Sequence, residues 1–244
     1  MGKVTTKVTL LRSTYNAEEL IAMAAKLCYS DAGIEIIQEG IAKKDQGEYI
    51  KMLVDMGHMS VIEHASFTFG IEGVSRAFLA QITRHRLASF SVKSQRYVGQ
   101  VRQNEETFNY IVPPQIEKLG DEAVEEYNNQ MLAMQQWYNG WVERLGDAGE
   151  STFEDARFVL PNGAETKMIV TMNARELRHF FAIRCCNRAQ WEIREVAWQM
   201  LKLCKDNARE LFENAGPNCV GGKCTEGNKS CMKQNQVRER AGRL

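Results

Sequence analysis

The residues best suited to chemistry lie between positions 73 and 103. This stretch carries six cations (Arg76, Arg84, Arg86, Lys93, Arg96 and Arg102) and no Asp or Glu, within a 244-residue chain whose 31 basic and 31 acidic residues balance. Cations at this density need an anion to offset their mutual repulsion. Arginine presents a planar fork that matches phosphate oxygens. Interleaved Gln81, Ser94 and Gln95 can supply further hydrogen bonds. Two readings follow: a pocket for a phosphorylated small molecule, or a basic surface that touches nucleic-acid phosphates. The small hydroxyl residues between the cations favour the pocket.

Three other constellations stand out. In Gly57-His58-Met59-Ser60-Val61-Ile62-Glu63-His64 two of the four histidines fall close together. Six residues apart, they do not share a helical face, and no third metal ligand is evident. A satisfied core histidine competes with a site residue here. In Asn173-Ala174-Arg175-Glu176-Leu177-Arg178-His179, helical spacing puts Arg175, Arg178 and His179 near one another, with Arg184 close to the far end. The competing reading is a solvated Arg-rich face paired with Glu176 and Glu192. Finally, Cys219, Cys224 and Cys231 lie in a Gly- and Lys-rich tail. With Cys204 they could ligate zinc, but the spacing is not that of paired Cys-x-x-Cys knuckles, so a flexible thiol-bearing tail is the favoured reading.

The elements that must position these groups can be read from periodicity. Val4–Leu11 and Glu165–Met172 alternate as strands, and Ala65–Ile71 is strand-like until Gly73 breaks it. Helical spacing covers 17–28, 46–56, 74–86, 117–145, 174–186 and 189–213. Ser151 and Glu154 have capping-box spacing, and Asn173 suits an N-cap. The apolar residues Val124, Tyr127, Met131, Met134, Trp137, Trp141 and Leu145 mark the expected inner face of the long helix. Strands mixed irregularly with long helices indicate an α+β protein. No glycine-rich dinucleotide or P-loop pattern follows a strand.

Bulk properties narrow the classes. The hydrophobic content of 44% supports a real core. No apolar run is long enough to span a membrane, and the N-terminus lacks a signal-like segment, so a cytoplasmic protein is expected. The seven cysteines are expected as thiols in that compartment. Neutral net charge argues against a general nucleic-acid coat.

Arg84-His85-Arg86, then seven residues, then Ser94 and Arg96-Tyr97, resembles the signature of flavin-dependent thymidylate synthases. Gly57-His58 with Glu63-His64, Glu154-x2-Arg157-x2-Leu160-Pro161, and Asn173-Ala174-Arg175 through Arg184 to Ala189-Gln190-Trp191-Glu192-Ile193 resemble the other blocks of that family, in its order. The resemblance covers about residues 4–215. It implies an α+β fold of the thymidylate synthase-complementing type, with a mixed or antiparallel sheet packed with long helices, assembled as a homotetramer. It implies reductive methylation of dUMP to dTMP, with 5,10-methylenetetrahydrofolate as carbon donor and FAD, reduced by NADPH, as hydride carrier.

By position, the resemblance assigns Arg184 and His58 to catalysis. Ser60, Glu63, Arg84, His85, Arg86, Val92 (through its backbone), Asn173, Arg175 and His179 would bind FAD. Gln81, Arg84, Ser94, Gln95, Arg96, Arg157 and Arg184 would bind dUMP. No metal is implied. Ser91, Val92, His179 and Cys28 depart from residues common in the family. Residues 1–216 are expected to form the catalytic domain, and 217–244 a Cys-containing basic tail disordered from 232 onward. The remaining alternatives are a nucleic-acid-binding module built on 73–103 and a zinc-organised interaction protein.

Overall fold

The computed structural model describes residues 2–42, 45–104, 106–146 and 149–244. In chain order its elements are β1 (Lys7–Ser13), α1 (Ala17–Leu27), α2 (Ile34–Ile41), α3 (Gly47–Asp55), β2 (Ser66–Ser75), α4 (Arg76–Ile82), β3 (Ala88–Val92), α5 (Pro114–Glu117), α6 (Asp121–Leu145), α7 (Glu150–Ala156), β4 (Glu165–Asn173), α8 (Ala174–Arg184), α9 (Trp191–Asn207), α10 (Arg209–Phe212), α11 (Asn218–Gly221) and α12 (Gln234–Gly242). The strands form one antiparallel sheet in the order β1-β2-β4-β3, so the α+β expectation holds. Two compact units are distinguished. The first contains residues up to Lys7, Ile71–Arg84 and Phe90–Ile169; the second contains Val8–Gly70, His85–Ser89 and Val170–Leu244.

In the first unit α6 is the organising element. Its buried stripe is Met131, Gln135, Tyr138 and Val142. Met131 packs with Phe108, Tyr110, Val112 and Ala164. Tyr138 and Val142 pack with Ala156. The expected inner face was therefore partly misplaced: Trp137, Trp141 and Leu145 are exposed at 58%, 45% and 45%. Two of the true inward positions are polar for a reason. The irregular segment beside α6 has backbone groups that no ladder satisfies, and buried backbone must be paired. Tyr138 OH accepts from Gln100 N at 3.1 Å, Gln135 accepts from Phe108 N at 2.6 Å, and Gln135 Nε2 donates to Gln100 O at 2.7 Å. Asn139 Nδ2 donates to Arg102 O at 2.6 Å. The helix thus holds the chain on both sides of residues 100–108 through side-chain amides.

Glu150 opens α7 with Gly149 at the cap and no side-chain capping bond. The expected Ser151–Glu154 capping box is not formed; Glu154 is instead paired with Arg96. β2 continues through Gly73 to Ser75, longer than the expected stop. Gly73 sits at φ 66°, a left-handed backbone, and a Cβ there would lie 2.0 Å from Thr5 O. Ser75 then caps α4 by accepting from Phe78 N, so the helix begins at Arg76, not Val74.

The second unit has an aromatic core. Phe67 and Phe181 meet Phe212 edge-on at 5.3 and 6.0 Å between ring centres, and Phe180 meets Phe181 at 5.8 Å. The helix expected over 189–213 breaks at Ala208 into α9 and α10. The segment expected to be disordered contains α12, whose Val237 and Ala241 are buried. Arg238 Nε donates to Cys219 O at 2.8 Å, and Lys205 Nζ donates to Ala241 O at 2.8 Å. Arg240 pairs with Glu195 at 2.9 Å and lies 4.6 Å over the Trp198 ring. The basic residues that suggested a solvated tail are its anchors. All seven cysteines are free, and among the described residues no group of three or more His, Cys, Asp or Glu is arranged to hold a metal ion.

Two stability predictions follow from these contacts. Gly73→Ala forces both the backbone and Thr5 to move, and should cost about 2–4 kcal/mol in denaturant unfolding; an unchanged midpoint would contradict this reading. Glu18 in α1 is pushed up to about 7 from an ordinary 4.5 by burial, by its hydrogen bond with Glu210 and by the charges of Glu210 and Asp45. The folded state therefore holds the extra proton between those two values. Its contribution is full below about pH 4.5 and is lost as pH rises through about 7. Glu18→Gln should flatten this dependence and raise stability at about pH 8 by on the order of 1 kcal/mol, the shift being discounted for the group's partial exposure. Thermal melts at several pH values, with wild type and variant running parallel, would contradict it.

Candidate active site

The residues expected to form the site fall into two groups, one in each unit. In the first unit, α4 brings Gln81, half-buried in its last turn, and ends two residues before the exposed Arg84. Past β3, whose last residue Val92 is half-buried, the chain makes a tight turn: Ser94 Oγ accepts from Arg96 N at 3.1 Å. Ser94 Oγ therefore serves its own loop. Gln95 beside it is half-buried.

Arg96 is the best-defined cation of this group. It pairs with Glu150 through Nη2, and its Nε lies 2.9 Å from Glu154 Oε2. That second contact is close but not aligned as a hydrogen bond, since the Nε–H finds no acceptor in line. Glu150 and Glu154 are one turn apart on α7, so a single helical face presents both carboxylates. Arg157, just beyond α7, donates from Nε to Glu154 O at 3.1 Å. Burial and the charge of Arg157 both lower the Arg76 guanidinium from its ordinary value. Two guanidinium groups near enough to disfavour each other's charge make this locus attractive to an anion. Lys93 is likewise lowered by burial. Arg76 was named only among the six cations of the basic stretch, and Glu150 was not singled out; the four-residue spacing of Glu150 and Glu154 was the available signal.

In the second unit, α3 ends in a Schellman turn. Gly57, at φ 77°, donates to Val54 O at 3.0 Å and His58 donates to Leu53 O at 2.9 Å. This turn places His58, whose ring stands edge-on to Tyr29 at 6.3 Å. Ser60 is exposed just ahead of the 3-10 turn Val61–His64, which carries Glu63. Glu63 meets Arg175 Nη1 at 2.6 Å.

Asn173 caps α8, accepting from Glu176 N at 2.9 Å. The helix then divides its polar residues. Arg175 and His179 are exposed, Arg178 turns to donate to Leu211 O at 2.5 Å, and Glu176 is buried. The three-residue basic face expected from spacing is thus two exposed groups and one structural anchor.

A buried polar contact joins α8 to His85. His85 is 6% exposed. Its Nδ1 lies 3.0 Å from Glu176 Oε1, and Arg184 Nε donates to its Nε2 at 3.1 Å. Arginine only donates, so Nε2 must accept and the ring proton resides on Nδ1, facing the carboxylate. Burial is the main influence lowering His85 from its ordinary value, with Arg184 acting in the same direction against Glu176. Both arguments give a neutral imidazole. Arg86, the third member of the Arg84-His85-Arg86 triplet, is exposed, as is Arg84.

Comparison with known proteins extends these observations. The sequence profile described as "Thymidylate synthase complementing protein" matches residues 9–208. A curated flavin-dependent thymidylate synthase from Geobacter sulfurreducens is 46% identical over 234 residues, covering 95% of this chain and 96% of that protein. One from Clostridium tetani is 44% identical over 243 residues, with 96% of each covered. The fold is similar to that of the Helicobacter pylori flavin-dependent thymidylate synthase solved with FAD and dUMP, at a TM-score of 0.64 and 24% identity over 86% of this chain and 99% of that one. It is also similar to the Streptomyces cacaoi UMP/dUMP methylase PolB bound with 5-Br dUMP, at a TM-score of 0.69 and 21% identity over 87% and 95%. Together with the ordered sequence blocks, matches of this extent establish that the chain belongs to the thymidylate synthase complementing protein family, the flavin-dependent thymidylate synthases.

Proposed function

We propose that this chain makes dTMP by reductive methylation of dUMP, using 5,10-methylenetetrahydrofolate, NADPH and bound FAD. The observation that carries the reading is near-full-length identity of 46% to a protein named for this activity. The family match places the basic 73–103 stretch inside the shared fold, and nothing supports its use as a nucleic-acid module.

The side chains suit the ligands. FAD's pyrophosphate is anionic, and the second unit offers Arg86, Arg175 and His179 as exposed donors, with Ser60, Glu63 and Asn173 able to orient them. The family resemblance also assigns Arg84 and the backbone of Val92 to FAD. When bound, FAD supplies hydride transfer, which no side chain of this protein can perform. Gln81, Ser94, Gln95, Arg96 and Arg157 are assigned to dUMP, with the guanidinium groups on its phosphate. Arg96 would exchange Glu150 and Glu154 for that phosphate. Arg184 is assigned to the uracil ring. A fixed cation there stabilises negative charge developing on the ring nitrogen and carbonyls, which raises the nucleophilicity of the ring carbon that is methylated. His58, at the end of the α3 turn, is assigned beside flavin and folate.

The remaining parts of the reading are a homotetramer in the cytoplasm, with 1–216 as the catalytic portion and 217–244 as an appendage. Exposed Trp137, Trp141 and Leu145 on α6 are apolar surface that self-association would cover. Among the described residues no helix is long and apolar enough to cross a membrane.

Purified protein supplied with FAD, NADPH, methylenetetrahydrofolate and dUMP should form dTMP, and consumption of NADPH without dTMP would overturn the assignment. Arg184→Ala should abolish dTMP formation while FAD stays bound; normal turnover would remove Arg184 from catalysis. Arg96→Ala should weaken dUMP binding by about 1.5–3 kcal/mol, the scale of a charge-assisted bond. An unchanged dissociation constant by calorimetry would refute that phosphate contact.

A further inference from the structure

We propose that His85 is a positioning residue, held by Glu176 as the neutral Nδ1–H tautomer so that its Nε2 fixes the guanidinium of Arg184. This rests on the reading of Arg184 as the cation at the uracil ring, and adds how that cation is aimed. The family resemblance assigns His85 to FAD contact; its ring nitrogens also meet Glu176 and Arg184.

A neutral imidazole has one donor and one acceptor nitrogen. Glu176 is 6% exposed, and its carboxylate can only accept. It therefore selects the tautomer with hydrogen on Nδ1, which leaves a lone pair on Nε2. Arg184 Nε donates to that lone pair at 3.1 Å. The opposite tautomer would set N–H against N–H and lose both bonds.

The assembly is itself held: Asn173 accepts from the backbone N of Glu176, and Phe180 meets the His85 ring edge-on at 4.9 Å. Glu176, Phe180 and Arg184 all lie on α8, at spacings of four residues. One helical face thus carries the tautomer-selecting acid, the ring's packing partner and the cation. Preorganising a charge in this way avoids a reorganisation cost at the moment of reaction.

The test is a cycle of variants in the FAD-loaded enzyme. His85→Phe keeps the ring volume and removes the acceptor. It should lower kcat by about 30-fold with flavin content unchanged. His85→Gln, whose amide oxygen can accept from Arg184, should recover most of that loss, which a purely packing role would not allow. In the Arg184→Ala background, adding His85→Phe should change the dUMP dissociation constant by less than about twofold, because the group it acts through is gone. Loss of FAD from His85→Phe would overturn the proposal by making the ring a flavin ligand. Independent, additive effects of the two substitutions, with Arg184→Ala inactive, would overturn the relay alone. An Arg184→Ala enzyme that still makes dTMP at the normal rate would overturn the reading beneath it as well. Should His85→Phe fail to fold, Glu176→Gln carries the same test. There Gln can flip to keep accepting from Nδ1–H, so Glu176→Leu is paired with it: losing the acceptor should lower kcat by about tenfold with FAD retained while Glu176→Gln stays closer to wild type, and full activity of Glu176→Leu would overturn the proposal.

Discussion

Guanidinium groups gathered to hold anionic ligands must also be tolerated by the protein before those ligands arrive, and this requirement shapes both units. Arg96 is balanced by Glu150 and Glu154 on one face of α7. Arg175 is balanced by Glu63. Arg184 is treated differently: its Nε meets a neutral histidine, and the carboxylate stands one residue further back. A neutral imidazole acceptor at Nε orients the guanidinium without itself bringing a countercharge. Exposed pairs such as Arg96 with its glutamates are weak and exchangeable, which suits the phosphate contact proposed for Arg96. The contact at His85 is buried, which suits the fixed cation proposed at Arg184.

These arrangements depend on elements with no chemistry of their own. The amide side chains of α6 pin the backbone at Gln100, Arg102 and Phe108, downstream of the Ser94–Arg96 turn. The Schellman turn at Gly57 sets the start of the segment carrying His58, Ser60 and Glu63. Asn173 both caps α8 and holds the backbone of Glu176, so helix termination and tautomer selection share one residue.

Much of this was legible beforehand because local rules govern it. The alternation of Glu165–Met172, the caps at Asn173 and Gly57, and the chain order of the motif blocks depend on neighbours in sequence. Pairings over long separations were not legible. Arg96 meets Glu150 across 54 residues, and His85 meets Glu176 across 91; no periodicity encodes either. The face of α6 was misjudged because large apolar side chains were taken as inward. Buried positions went instead to Gln135 and Tyr138, which satisfy an irregular backbone segment. The helix α12 was missed because its sequence is mostly polar, and its order comes from tertiary anchors at Cys219, Trp198 and Lys205.

The central claim is that these cations serve a flavin and a pyrimidine nucleotide within one protein. The visible absorbance spectrum of the purified, FAD-supplied protein, recorded before and after addition of dUMP, tests it most directly. The account predicts a stoichiometric flavin spectrum that shifts saturably with dUMP and does not respond to an uncharged uracil nucleoside at the same concentration. A colourless protein that takes up no FAD, or a flavin spectrum indifferent to dUMP, would contradict it.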